Sequence, residues 1–152
     1  MVPVLTVLAI LSACRSTNHL KENEYLLWKN KLELRTDKVM LNKGEIKDNL
    51  ESIIAQKPNS NYLDLSPVKV PMKLWRYNRR YKKLSTRPDS LLPKSVERPV
   101  LLDTNTIGKS AQNMKSYLFN QGYFYVRVYD TITYKKKKAI VSYKIDAGSN
   151  YI

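Results

Sequence analysis

The chain has 152 residues and a formal net charge of +14, from 27 Lys and Arg against 13 Asp and Glu. A hydrophobic content of 43% excludes wholesale disorder, and the length allows one ordinary domain with a real core. One cysteine excludes an internal disulfide, and the charge points to an anionic partner such as nucleic acid, an anionic lipid surface or an acidic protein.

The first element is an uncharged apolar run from Val2 to Leu11, which ends in Leu11-Ser12-Ala13-Cys14. Its length is that of a secretory h-region and too short to span a bilayer, although no Lys or Arg precedes it. Leu-Ser-Ala-Cys resembles the bacterial lipobox. That resemblance implies cleavage after Ala13 and diacylation of the Cys14 sulfur, so residues 1–13 read as signal peptide and 14–24 as a polar tether. The only histidine, His19, falls in this tether and reads as a solvated linker residue. No later segment reaches the roughly 18 apolar residues of a spanning helix. Secretion takes weight from nucleic acid, and none is expected as a partner.

Residues 25–35 contain a strand, because Leu32 and Leu34 alternate with Lys31, Glu33 and Arg35. Residues 42–55 read as a helix. Asn42 and Glu45 have capping-box spacing, Leu41 and Ile46 that of a hydrophobic staple, and Ile46, Leu50, Ile53 and Ile54 form one stripe. Residues 57–100 carry six of the seven prolines and read as a long basic insertion, mostly extended, with one short helix near 72–83 behind Pro71. A second helix is expected over 104–121 from Ile107, Ala111, Met114 and Leu118, capped by Thr104 or Thr106 and stopped at Gly122.

Period 2 follows. Residues 123–134 place Phe124, Val126, Val128 and Ile132 on one face and Tyr125, Arg127, Tyr129 and Thr131 on the other. Residues 138–146 repeat the alternation with Ala139, Val141, Tyr143 and Ile145, and the lysines 135–138 between the runs make a charged connection. The pair reads as an antiparallel hairpin. Two helices can cover one face of such a small sheet, which gives an α+β class.

In this order the chain resembles a POTRA domain, the β-α-α-β-β module of the BamA/TamA outer-membrane assembly superfamily. The match is carried by residues 114–128, where Tyr117, then Gly122-Tyr123, then Val126 and Val128 join the second helix to a strand. The lipobox, Gln56-Lys57-Pro58-Asn59 followed by Leu74-Trp75-Arg76-Tyr77-Asn78, and Arg98-Pro99-Val100-Leu101-Leu102-Asp103 are similar to the lipid-anchored TamA-like proteins called TamL. The resemblance implies a three-stranded mixed sheet under two helices over residues 25–148, with the 57–100 insertion between the helices. Residues 149–152 would begin a further module, which makes the chain an N-terminal fragment.

The sequence offers no catalytic constellation: one histidine, no cysteine pair and no phosphate-cradling glycine motif. Neither an enzyme nor a cofactor is expected. The expected role is a lipid-anchored periplasmic domain, attached to the outer membrane through Cys14, that binds unfolded or partner proteins. The resemblance implies strand addition at the edge near Tyr125, Arg127, Tyr129 and Thr131, unless the 57–100 arm covers that edge. The alternative is a free-standing lipoprotein that binds an anionic surface through Lys73, Trp75, Arg76, Arg79, Arg80, Lys82 and Lys83. For that helix, single-strand nucleic-acid contact and simple docking on its own domain also stay open.

Overall fold

The structure is a computed structural model and describes residues 16–36, 42–60, 63–65 and 68–148. In chain order its elements are β1 (Leu26–Arg35), α1 (Lys43–Ile53), the short strands β2 (Leu63–Leu65) and β3 (Val68–Val70), α2 (Met72–Arg79), α3 (Tyr81–Leu84), a 3-10 turn (Asp89–Leu91), α4 (Thr104–Asn120), β4 (Arg127–Lys135) and β5 (Lys138–Asp146). They divide into two compact units interleaved along the chain. One holds residues from 27–57 and 102–148, the other residues from 16–26 and 58–101.

The first unit is a sheet of order β1-β5-β4 under two helices. β4 and β5 pair antiparallel from Arg127↔Asp146 to Lys135↔Lys138. The C-terminal ends of β1 and β5 meet, since the Ala147 N–H donates to the Arg35 carbonyl at 3.0 Å and the Thr36 hydroxyl to the Gly148 carbonyl at 3.3 Å. β1 and β5 therefore run parallel, and the sheet is mixed. Alternation decides which face is covered. Ala139, Val141, Tyr143 and Ile145 of β5 are buried, together with Ile46, Leu50 and Ile54 from the first helical segment and Ile107, Met114 and Leu118 of α4. Fully burying each such large apolar side chain contributes about 1.5–3 kcal/mol. Polar links hold the two helical segments together. Asn49 donates to the Tyr117 hydroxyl at 3.0 Å, and the buried Ser110 hydroxyl accepts from the Ala55 N–H at 3.2 Å while donating to the Thr106 carbonyl at 2.9 Å.

The helix ends differ from the sequence reading. Asn42 stands in the left-handed region (φ 56°) and makes no side-chain cap bond, so the expected capping box is not formed. A cap side chain reaches the first-turn amides from an extended backbone, and the left-handed one turns it away. Leu41 lies outside the described residues. At α4 the cap is Asp103 rather than Thr104 or Thr106. Its carboxylate accepts from the Asn105 N–H at 3.0 Å, and Thr106 instead donates its hydroxyl to it at 2.5 Å. The C-terminus of α4 follows expectation. Gly122 has φ 89°, its N–H donates to the Phe119 carbonyl, and the Tyr123 N–H reaches back to Leu118. This paired bonding closes the helix with Tyr123 and Leu118 both buried.

Residues 123–126 are turn rather than strand, and β4 begins at Arg127. The Val126 N–H donates to the Tyr123 carbonyl at 3.3 Å, which commits these backbone groups to a local turn instead of the ladder. Phe124, expected on the core face, is 51% exposed and packs edge-on against Phe119 with ring centroids 5.1 Å apart. In the hairpin only Lys136 and Lys137 are loop. Lys138 opens β5 and holds its ammonium 3.6 Å from the Trp28 ring centroid.

The second unit is built mainly from the proline-rich stretch. β2 and β3 pair antiparallel from Leu63↔Val70 to Leu65↔Val68. The helix expected over 72–83 is present in two pieces, α2 and α3, parted at Arg80 (φ −110°, ψ 20°). Tyr77, Leu84 and Val96 form a small core with Tyr81 and Leu92 packed against it. The segment is thus folded rather than an extended arm. Residues 16–24, read as tether, form turns of this unit, closed by Leu20 N–H to Thr17 and Glu24 N–H to Lys21.

Candidate binding surfaces

Two surfaces come from the expected site residues, and a third was not foreseen. The first is the outer edge of β4. Among the described residues β4 has β5 on one side and no strand or bridge on the other. Its backbone donors and acceptors alternate between the ladder and that open side. Arg127, Tyr129 and Thr131 lie on this strand, exposed, on the face opposite the helices. Tyr125 does not. It sits in the turn ahead of β4, 69% exposed, so the site residues read from period 2 include one that the strand does not hold.

The second surface is the cationic side of α2 and α3. Neither helix contains an acidic residue. Leu74 (0% exposed) and Tyr77 (3%) turn into the core of this unit, while Arg76, Arg79, Arg80, Lys82 and Lys83 are exposed. Lys73 and Trp75 are half-buried, and the Lys73 carbonyl accepts from the Glu97 N–H at 3.3 Å. Arg76 and Arg80, and Arg76 and Arg79, have the spacing of neighbours on a helix surface, so like charges crowd one ridge. The arrangement gives this side of the two helices a positive field. Cys14 lies outside the described residues.

The third surface is an open groove of about 310 Å³ in the same unit, lined by Asn18, His19, Trp75, Asn78 and Arg79. His19 lies flat on Tyr81, with ring centroids 4.0 Å apart and planes within 3°. Arg79 holds its guanidinium 5.5 Å from the Trp75 ring centroid. Trp75 and Arg79 were expected as anionic-surface contacts, but nothing in the sequence marks their meeting with Asn18 and His19, which lie far away along the chain in a stretch without period.

Within the second unit, the two ends of the proline-rich stretch are clasped together. The buried Asn59 donates to the Arg98 carbonyl at 2.6 Å and accepts from the Val100 N–H at 3.0 Å. The Ser60 hydroxyl donates to Glu97 at 2.7 Å. Arg98 in turn pairs with Asp89, donates to the Arg87 carbonyl, and stands 5.9 Å from the Tyr77 ring centroid. Burial pushes the Tyr77 hydroxyl above its usual pKa, with the Arg98 charge opposing that shift. In the sheet unit, burial likewise raises Tyr143, against its hydrogen bond with Ser110. Among the described residues no group of His, Cys, Asp and Glu has metal-site geometry.

Residues 76–148 match the POTRA family, described as "Surface antigen variable number repeat". The matched stretch includes α4, β4 and β5, whereas β1 and α1, which complete the layer, precede it. No curated protein matches the chain. Among solved structures, the crystal structure of Haemophilus influenzae BamA POTRA4 is similar at 12% identity, covering 85% of this chain and 98% of that one, with a TM-score of 0.47.

Proposed function

We propose that this chain, which carries a POTRA domain over residues 76–148, is a non-enzymatic periplasmic part of an outer-membrane protein assembly or translocation factor of the TamL kind. On this reading the chain is anchored by a lipid on Cys14, and it takes up extended segments of substrate or partner proteins by strand addition. POTRA domains serve as periplasmic, non-catalytic parts of such assembly proteins, which supports the broad assignment. The observation that carries the finer reading is the edge of β4: nine residues, with exposed Tyr129, Thr131 and Thr133 and no strand beside it among the described residues. Main-chain pairing there is tolerant of substrate sequence, as a receiver of many polypeptides requires.

Proline at successive β4 positions tests it. Of Thr131→Pro and Ile132→Pro, one removes an N–H that faces β5 and the other an N–H that faces the open edge. The variant that keeps its fold by circular dichroism should bind a fluorescent outer-membrane-strand peptide at least about tenfold more weakly. Unchanged binding contradicts strand addition. Cys14→Ser, expressed in a gram-negative host, should move the protein from the membrane to the soluble fraction.

A second reading, a lipoprotein that binds anionic lipid through α2 and α3, is favoured by the exposed cations from Arg76 to Lys83. Its binding would fall steeply between low and physiological salt, whereas strand addition would change little.

A further inference from the structure

We propose that the groove between residues 18–19 and α2 is a binding site for a saccharide unit that carries a phosphate. The reading is independent of the β4 edge. The observation behind it is the mixture of groups lining one open space of about 310 Å³: an indole (Trp75), an imidazole (His19), two carboxamides (Asn18 and Asn78) and a guanidinium (Arg79). The volume is at the lower end for small-ligand sites, enough for one or two sugar rings rather than a polymer.

Each group has a part. A sugar ring presents a face of C–H groups, which packs on an aromatic plane, and Trp75 supplies the indole. Carboxamides both donate and accept, so Asn18 can match a hydroxyl, which does the same. Arg79 is the charged member. Its guanidinium can meet two phosphate oxygens at once, and Arg76, one turn earlier on α2, reinforces the field. The groove wall is fixed in advance: His19 is stacked on Tyr81, which in turn meets Tyr77 edge-on at 6.1 Å, and Tyr77 belongs to the core of the unit. A preformed wall lowers the ordering cost of binding. A site for phosphate alone would have no use for the indole and the carboxamides.

The test follows the Trp75 indole N–H and the His19 ring by NMR on the full chain. The probes are N-acetylglucosamine 1-phosphate, N-acetylglucosamine, inorganic phosphate, and phosphatidylcholine vesicles with or without a phosphorylated glucosamine glycolipid. The sugar phosphate should shift both groups with an affinity on the order of 1 mM, about tenfold tighter than the uncharged sugar. Inorganic phosphate should leave the indole unmoved. Asn18→Ala and Arg79→Gln, both at exposed positions, should each weaken the response severalfold while the circular dichroism of the chain stays unchanged. Preference for the glycolipid vesicles over the soluble sugar phosphate identifies a lipid headgroup as the source, and the reverse preference a free sugar phosphate. Absence of shifts with every probe overturns the site. So does an equal response to inorganic phosphate, or to phosphatidylglycerol vesicles, which would reduce the groove to a cationic surface.

Discussion

At the scale of single residues, polar side chains in or beside the two cores decide the local structure. Asn59 replaces a strand pairing, holding the segment before the proline-rich stretch to the one after it through Arg98 and Val100. Asn59→Ala leaves a partly buried carbonyl and a partly buried N–H unpaired, and should cost about 1 kcal/mol in urea denaturation. Asp103 is tuned by its own cap. Its bond from the Thr106 hydroxyl, with help from the Asn105 and Thr106 backbone N–H groups, holds the carboxyl below its ordinary 3.8. The folded pKa is the lower one, so this contribution is present above pH 3.8 and is lost as pH falls through the folded value. Asp103→Ala should therefore lower the melting temperature at pH 7, and the gap from the parent should close below pH 3.8. Tyr143 works in the opposite sense. Burial raises it above 10.0, so its contribution is full below that pH and is lost as pH rises. Tyr143→Phe should cost about 1 kcal/mol at neutral pH through the lost Ser110 bond, and the difference should shrink in melts above pH 10.

At the scale of elements, periodic segments were legible and punctuation was not. Ile107, Ala111, Met114 and Leu118 announce α4, and Ala139 to Ile145 announce β5, because burial on one side leaves a spacing that can be read directly. Gly122 also reads correctly, since a helix stop with φ 89° favours a residue without Cβ. Gly122→Ala should destabilise by roughly 1 kcal/mol in chemical denaturation while leaving helix content unchanged. The helix starts near residues 42 and 104 read correctly, but the cap of α4 was misread because Thr104, Thr106 and Asp103 all have capping side chains, and only the backbone angles select among them. The β2–β3 hairpin was missed for a different reason. Three-residue strands are too short to show a period, and Pro67 and Pro71 read as breakers of extended pairing. Of the candidate sites, the β4 edge follows from alternation plus order, apart from Tyr125. The His19–Trp75 groove depends on long-range packing and leaves no trace in local pattern.

At the scale of the molecule, the chain is a sheet-and-helix layer interleaved with a second, smaller folded unit. The proline-rich stretch is a unit with its own core of Tyr77, Leu84 and Val96, and the residues ahead of β1 belong with it. On the proposed reading, one chain would carry separate recognition chemistries: main-chain pairing on the sheet, charge and aromatic contact on the basic helices. The POTRA match over 76–148 fits the first, and the proposal that the chain serves outer-membrane protein assembly rests on that edge. Amide hydrogen exchange on the full chain, with and without an extended outer-membrane-strand peptide, is the most direct test. The account predicts that alternate amides from Tyr129 to Thr133, those facing away from β5, gain protection at saturating peptide while the β5 amides are unchanged. Protection confined to α2 and α3, or none on β4, would contradict it.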